Sequence, residues 1–219
     1  MGERLYTIPV WDGFGTGDGC PLCNIYHILE KQALSGILGP SMMEPAIREE
    51  TNRLGFCPRH LGMMARQEGK LPFALLLQTR VGELRRELGS QRIGGPRLDR
   101  LLGDCYLCRQ LERSMAAMAE NTALCWAQEP RFREVFAQLD SLCPEHGWLL
   151  LTAGKGRWGR EFRRAAAGAL DRSMARLERE IGAFCSSFDY RNAGKKSLTL
   201  QEKGALSTAV QKLSAGKSE

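Results

Sequence analysis

Apolar residues recur along much of the chain at the three- and four-residue spacing of a helix with one buried face. Residues 71–88 carry such a stripe, and residues 158–188 carry another. The apolar members of the first stripe are Phe73, Leu77, Val81, Leu84 and Leu88. Capping and breaking residues predict further helices over 21–38, between 41 and 55, and over 200–213. No strand pattern is found, so we predict an all-α fold.

Parts of this helical pattern occur twice. Glu44-Pro45 and Arg48-Glu49 recur 85 residues later as Glu129-Pro130 and Arg133-Glu134. The long apolar helix of each copy recurs at an offset of 93, and the extra seven residues, about two turns, keep its apolar face in phase. We therefore predict a pseudo-twofold duplication of one helical unit. The first repeat is 1–95, the second is 96–190, and 191–219 is a basic C-terminal tail.

The repeats also duplicate a set of metal-ligand residues. In each, a Cys-x-x-Cys pair is followed by a Cys-Pro-x-His pair, after 33 residues in the first repeat and 34 in the second. We predict that each half is clamped by one Cys3His metal site. The first site is Cys20, Cys23, Cys57 and His60; the second is Cys105, Cys108, Cys143 and His146. Each Cys-Pro cysteine is expected at a helix N-cap, because proline favours the first helical position.

The ligand types leave two kinds of centre open. Three cysteines and one histidine complete a closed tetrahedral Zn²⁺ site, which predicts two structural zinc ions. Two iron–sulfur clusters held by the same Cys3His ligands are the alternative. A thioredoxin-type redox pair is disfavoured because no strand precedes either Cys-x-x-Cys pair. No catalytic residues are assigned, because no nucleophile–base pair follows from the spacing, and an enzyme is the less favoured class.

Glycine-rich residues 12–19 are interpreted as a loop leading into the first cysteine pair, because neither a strand nor a Walker lysine accompanies them. His27, Cys125 and Cys185 have no equivalent in the other repeat. His27 is expected on the surface or in packing, and the two cysteines as small buried apolar residues. The recurring Arg48-Glu49 and Arg133-Glu134 pairs are interpreted either as partners of the metal ligands or as solvated helix charge.

Composition and charge narrow the function classes. The formal net charge is +6, and residues 191–219 carry six basic but only two acidic residues. The remainder is nearly balanced, which weakens a nucleic-acid interpretation of the basic isoelectric point. No apolar run of 18 residues indicates a membrane span. The first residues lack a signal-peptide pattern, so we expect a cytoplasmic protein whose cysteines bind metal rather than form disulfides.

One further basic stretch surrounds Trp158. Its members are Lys155, Arg157, Arg160, Arg163 and Arg164. It would suit RNA or an acidic partner, but a solvated helix face is favoured. Few aromatic residues accompany it, whereas single-strand binders usually provide several stacking platforms.

Taken together, three features resemble a bacterial family described as domain of unknown function 6062. They are the two cysteine–histidine elements, the Arg48-Glu49-Glu50-Thr51-Asn52 segment, and Phe188-Asp189-Tyr190-Arg191-Asn192. The resemblance implies a cytoplasmic protein, mainly of anaerobic bacteria, and strengthens the iron–sulfur alternative. It implies no activity. The sequence thus favours a metal-stabilised accessory protein with an unidentified protein partner, ahead of an electron carrier or redox sensor and of a nucleic-acid-binding protein.

Overall fold

A computed structural model describes residues 7–17, 19–89, 103–154, 156–189 and 198–215. Every regular element within these ranges is helical, which confirms the predicted all-α class. A 3₁₀ turn at Pro40–Met43 separates the second and third helices. The helices are α1 (Ile8–Gly15), α2 (Pro21–Ile37), α3 (Pro45–Leu54), α4 (Pro58–Arg66), α5 (Lys70–Gly89), α6 (Tyr106–Gln128), α7 (Pro130–Ala137), α8 (Pro144–Ala153), α9 (Gly159–Ser186), α10 (Leu200–Lys203) and α11 (Ala205–Leu213).

The chain divides into two compact units that do not follow the sequence repeats 1–95 and 96–190. Unit 1 combines Met1–Tyr26 with Met115–Glu219, and unit 2 is His27–Ser114. Both boundaries fall within a helix, α2 in one case and α6 in the other. Each of these helices therefore contributes its first turns to one unit and its later turns to the other.

Unit 1 is built around an aromatic core. The ring centroids of Phe14 and Phe132 lie 4.9 Å apart, and those of Phe136 and Phe162 lie 5.7 Å apart. The long helix α9 packs against α7, α8 and α11. The close approach of α8 to α9 depends on Gly147, since a Cβ there would lie 2.7 Å from Leu170. This packing fixes the start of α8, where two predicted metal ligands lie.

Unit 2 has an aliphatic core contributed by the later turns of α2 and by α3, α4, α5 and α6. The fully buried members include Leu34, Ile37, Leu54, Met64, Leu76 and Leu107. Helix α5 packs against both α3 and α4. The predicted stripe on α5 is only partly buried, because Val81 and Leu88 each remain 52% exposed. Packing therefore concentrates on the N-terminal half of α5, beside the helices that carry the ligands.

Two predicted elements differ from the structure. Residues 12–15, interpreted as part of a glycine-rich loop, belong to helix α1, which has a proline in its first turn and buries Val10, Gly13 and Phe14. Gly13 is close to the first turns of α2, since a Cβ there would lie 2.5 Å from Ile25. The predicted C-terminal helix is divided at Gly204 into α10 and α11, and it packs on α9.

Some sequence predictions lie outside the described residues. They are the inter-repeat connection from 90 onward, Lys155 in the basic stretch, and positions 190–197 and 216–219 of the C-terminal region.

Candidate metal centres

Four predicted ligands converge in unit 2. They are Cys57, His60, Cys105 and Cys108, and their ligand atoms all lie within 4.8 Å of one another. The Nδ1 atom of His60 lies 3.3 Å from the Cys57 sulfur and 3.4 Å from each of the other two sulfurs. The Cys57 and Cys108 sulfurs are 3.9 Å apart. We call this group the unit-2 ligand set.

The other four predicted ligands converge in unit 1. They are Cys20, Cys23, Cys143 and His146, again within 4.8 Å of one another. The Nδ1 atom of His146 lies 3.2 Å from the Cys143 sulfur, 3.3 Å from that of Cys23 and 3.8 Å from that of Cys20. The Cys23 and Cys143 sulfurs are 3.7 Å apart. We call this group the unit-1 ligand set.

These distances fit one four-coordinate ion in each set. Zinc bond lengths and tetrahedral angles place two ligand sulfurs about 3.8 Å apart and a sulfur and a nitrogen about 3.6 Å apart. The two sulfur–sulfur contacts, 3.7 and 3.9 Å, match that spacing, and the sulfur–nitrogen contacts lie between 3.2 and 3.8 Å. In both sets one histidine nitrogen faces all three sulfurs. Both Cys3His groups could therefore hold a metal ion.

The membership of the two sets corrects the sequence prediction. Cys57 and His60 were assigned to the Cys20–Cys23 pair, and Cys143 and His146 to the Cys105–Cys108 pair. The structure instead joins the first Cys-x-x-Cys pair to the second Cys-Pro-x-His pair. It joins the second Cys-x-x-Cys pair to the first Cys-Pro-x-His pair. The predicted number and type of ligands per set are retained, but each set takes one pair from each sequence repeat.

Helix starts position the ligands in both sets. Cys57 and Cys143 are N-cap residues of α4 and α8, each followed by proline, as predicted. Cys20 and Cys105 likewise precede the first residues of α2 and α6. The carbonyl oxygen of each of these four cysteines accepts a hydrogen bond from the amide four residues later. The partner ligand, three residues on, therefore lies one helical turn away on the same face.

A backbone hydrogen bond and a turn hold the two halves of the unit-2 set together. The amide of Tyr106 donates to the carbonyl oxygen of Gly55 over 2.9 Å. Gly55 has a φ of 71°, a left-handed value that favours glycine. The turn before Cys57 is thereby joined to the start of α6, next to Cys105. In unit 1, the Ser173 hydroxyl accepts from the amide of Leu142 and positions the residue before Cys143.

Amide groups at the helix starts also donate to sulfur. The His146 amide lies 3.4 Å from the Cys143 sulfur, and the Cys108 amide lies 3.5 Å from the Cys105 sulfur. These N–H groups have no partner within their helices. Together with the positive end of the helix dipole, they stabilise negative charge on a thiolate.

Side-chain electrostatics favour one thiolate in each set. In unit 2, a hydrogen bond from Cys108 lowers the pKa of Cys105 to about 3, against the opposing effect of burial. In unit 1, hydrogen bonds from Cys143 and Cys23 place the pKa of Cys20 well below its usual value. The hydrogen bond to Cys20 raises the pKa of Cys143 to about 12. A bound metal cation would replace the protons that these neighbouring sulfurs share.

The unit-2 histidine has a second partner that the sequence reasoning missed. The Nε2 atom of His60 lies 3.2 Å from a carboxylate oxygen of Glu30, which is only 3% exposed. Arg59 donates to both oxygens of the same carboxylate. Burial lowers the pKa of His60, but hydrogen bonds to Cys105 and Glu30 outweigh it and raise that pKa to about 10. A carboxylate on the outer nitrogen of a ligand histidine fixes the ring orientation and increases its basicity.

The equivalent positions in the other repeat differ in chemistry. Glu30 lies seven residues after Cys23, and the residue seven after Cys108 is Met115, which is buried. Arg59 lies two residues after Cys57, and the residue two after Cys143 is Glu145. The carboxylate–arginine pair therefore belongs to the unit-2 set and has no chemical equivalent at the matching positions.

A signal for Glu30 does exist in the sequence. Cys23, Tyr26, Leu34 and Ile37 are all buried, and their spacing defines the inward face of α2. Glu30 occupies the position on this face midway between Tyr26 and Leu34. A carboxylate in an apolar stripe needs a buried partner, because an unpaired buried charge is costly. A search for acidic residues within apolar stripes would have identified it.

Arg133, from one of the recurring arginine–glutamate pairs, contacts the end of α6 and not a predicted metal ligand in the contacts found for it. Arg133 donates to the carbonyl oxygens of Trp126 and Ala127 at the end of α6. Its guanidinium carbon also lies 4.7 Å from the Trp126 ring centroid. Arg48 and Glu49 line an open cleft of about 1000 Å³ in unit 2.

The remaining residues considered from the sequence are distributed as follows. His27 is exposed, as expected. Cys125 is buried, and burial raises its pKa to about 11, in agreement with a packing role. Cys185 is exposed, so the expectation of a buried residue is wrong there. In the basic stretch Arg163 donates to the Gly154 carbonyl oxygen, and Arg157 lies over the Trp158 ring at 5.2 Å.

None of the helices in the described parts of the chain has both the length and the apolar character needed to cross a membrane.

Comparison with known proteins gives a family but no described relative. No curated protein and no solved structure matches the chain. A family model, described as a family of unknown function (DUF6062), matches residues 1–219, the whole chain. The protein therefore belongs to the DUF6062 family, as its duplicated cysteine–histidine elements suggested.

Proposed function

We propose that this protein is a zinc-stabilised helical accessory module, in which two structural Zn²⁺ ions hold helix starts together and the helical surface contacts a protein partner. The observation that carries the proposal is the geometry of the ligand sets. In each, three sulfurs and one histidine nitrogen lie within 4.8 Å of one another, which is the number and type of ligands that a closed zinc site requires. The ligands in the unit-1 set would be Cys20, Cys23, Cys143 and His146; those in the unit-2 set would be Cys57, His60, Cys105 and Cys108.

A structural role is supported over a catalytic one by the number of ligands. Catalytic zinc usually keeps one coordination position open for water or substrate, whereas four protein ligands close the site. Six of the eight ligand residues are buried, and the other two are half-buried. A closed site of this kind supplies folding free energy, because the ligands do not converge in the unfolded chain.

The compactness of the sets supports zinc over the iron–sulfur alternative. A cluster places several iron and sulfide atoms between its ligands, so the ligand atoms must be further apart than around a single ion. The sulfur–sulfur contacts of 3.7 and 3.9 Å are those of neighbours on one ion.

A protein partner is supported by an exposed apolar stripe on α11. Leu206, Val210 and Leu213 are 51%, 59% and 71% exposed, and their spacing places them on one face. The opposite face, with Ala205 and Ala209, is buried in unit 1. Nucleic acid remains the less favoured partner. A cytoplasmic location fits the eight cysteines, none of which forms a disulfide in the described residues.

Metal analysis of protein purified without oxygen tests the proposal. We expect two zinc ions per chain, a colourless solution, and loss of helicity and thermal stability when a strong chelator removes them. Iron with acid-labile sulfide would instead establish the cluster alternative. Unchanged thermal unfolding after verified metal loss would show that the ions are not structural.

Affinity capture from a native extract tests the partner class. A Val210→Glu variant should lose a partner that the unaltered chain retains, while Arg160→Gln, an exposed change away from α11, should not. Strongly salt-dependent, submicromolar binding of RNA or DNA would favour the nucleic-acid alternative, because phosphate contacts release counterions.

A further inference from the structure

The two ligand sets differ in how far their residues are buried. All four residues of the unit-1 set are buried. In the unit-2 set Cys105 and His60 are buried, but Cys57 and Cys108 are only half-buried. The sulfurs of these two cysteines lie 3.9 Å apart, so the two less buried cysteines of the set are also neighbours.

Two properties determine whether an oxidant can convert metal-bound thiolates to a disulfide: the exposure of the thiolates to solvent and the distance between their sulfurs. A thiolate is the reactive form of cysteine, and its oxidation depends on exposure as well as charge. Metal coordination keeps the sulfur deprotonated. A second accessible thiolate within about 4 Å can then complete a disulfide after a modest movement, since the bonded distance is about 2.05 Å.

We propose that Cys57 and Cys108 are a peroxide-sensitive modification site whose oxidation to a disulfide releases the metal of unit 2 and leaves that of unit 1 in place. This inference rests on the proposed function, since it requires both sets to hold zinc. The oxidant is a hydroperoxide, with hydrogen peroxide as its simplest member.

The reaction balances in two steps. One thiolate attacks a peroxide oxygen, the O–O bond breaks, and a sulfenic acid and hydroxide form. The second thiolate attacks the sulfenic sulfur, the S–S bond forms, and a second hydroxide leaves. Two thiolates thus lose two electrons, and the peroxide is reduced to two hydroxides, which take up two protons to become water. Zinc, left with Cys105 and His60 as ligands, then dissociates.

The surroundings favour this pair over the adjacent Cys105–Cys108 pair. Cys105 is 4% exposed, and its sulfur accepts a hydrogen bond from the Cys108 amide. Cys57 begins α4, and Cys108 lies in the first turn of α6. A disulfide between them keeps these two helix starts connected after the metal leaves. Reduction by a thiol can therefore restore the site without refolding of the whole unit.

The test uses the zinc-loaded full chain carrying Cys185→Ser, because exposed Cys185 would otherwise consume oxidant. Hydrogen peroxide is added, zinc release is followed with a chromogenic chelator, and disulfide-linked peptides are identified by mass spectrometry. We expect one of two zinc ions to be released, a Cys57–Cys108 linkage, and zinc uptake again after reduction. Release of both ions at one rate, no release, or a linkage within the unit-1 set would overturn the proposal.

A matched pair of variants separates the disulfide from general instability. Cys57→His keeps four zinc-competent ligands in unit 2 but cannot form the disulfide, so peroxide-driven release should slow at least about tenfold. Arg160→Gln, an exposed change outside both ligand sets, should leave the release from unit 2 unchanged. Where Cys57→His binds no zinc, the linked peptides of the Cys185→Ser protein decide the outcome. Fewer than two zinc ions before oxidation would count against the proposed function instead.

Discussion

The unit-1 and unit-2 ligand sets contain the same residue types at the same helix positions, yet their surroundings differ. The unit-1 set is fully buried, whereas two cysteines of the unit-2 set are half-buried. In unit 2 the buried carboxylate of Glu30, itself paired with Arg59, contacts the ligand histidine. The two sets thus share their ligand types but differ in the residues around them, and chemical behaviour depends on the latter as well.

The charged neighbours of the sets differ in the same way. A Zn²⁺ ion with three thiolates and one neutral histidine carries one net negative charge. In unit 1, burial lowers the pKa of Lys212 of α11, and the charge of Arg176 lowers it further. Smaller opposing effects come from Glu180, Asp140 and the Cys20 thiolate. In unit 2, the Glu30 carboxylate, paired with Arg59, contacts the ring of His60. This pair therefore orients a predicted ligand and also balances charge.

The largest expected effect comes from removing ligands in pairs, which tests the membership of the sets directly. Cys57→Ser with Cys105→Ser removes two ligands of the unit-2 set, so the protein should retain one zinc ion. Cys20→Ser with Cys57→Ser damages both sets and should leave none. Elemental analysis of the purified variants measures both outcomes. The grouping predicted from sequence requires no zinc in the first double variant and one zinc ion in the second. The measurement therefore distinguishes the two groupings.

A second expected effect is the pH dependence of the metal-free protein. Cys105 has a pKa lowered to about 3, so its contribution to folding is present above about pH 9 and declines as pH falls. His60 has a pKa raised to about 10, so its contribution is present below about pH 6.5 and is lost as pH rises through 10. Between pH 6.5 and 9 the proton differences of these two groups cancel, but Cys20, whose pKa is also lowered, makes stability rise with pH. Stability should therefore be greatest near pH 9 and fall on both sides.

Chemical denaturation of chelator-treated protein at several pH values measures this curve. His60→Gln should abolish the alkaline decline that the histidine causes and lower the maximum of the stability curve. A stability that rose continuously from pH 6.5 to 10 would contradict the assigned Cys105–His60 interaction.

Much of the fold follows from local signals, but the grouping of the ligands does not. Capping and breaking residues predicted α2, and helix periodicity predicted α5 and α9, all closely. The Cys-Pro pattern predicted the N-caps Cys57 and Cys143. The same spacing pattern is satisfied whichever Cys-Pro-x-His pair completes each Cys-x-x-Cys pair, so motif spacing alone cannot distinguish the two arrangements.

The grouping depends on contacts between segments that are distant in sequence. The Tyr106 amide donates to the Gly55 carbonyl oxygen, and the His60 ring contacts the Glu30 carboxylate on α2. Local spacing and helix periodicity do not report such contacts, so they could not assign each Cys-Pro-x-His pair to its partner.

The smallest expected effect concerns the outer partner of His60 and sharpens the comparison between the units. Glu30→Gln retains a hydrogen-bond acceptor but removes the charge that strengthens the His60 ligand and holds Arg59. Zinc affinity of unit 2 should fall by about 10- to 100-fold, the usual cost of losing such a partner. Met115→Leu, at the equivalent position of the other repeat, should leave the affinity of unit 1 unchanged because no carboxylate is lost there. Competition with a chelator of known affinity measures both variants in the full chain. Equal affinities in the Glu30→Gln and unaltered proteins would show that the carboxylate serves only to pair with Arg59.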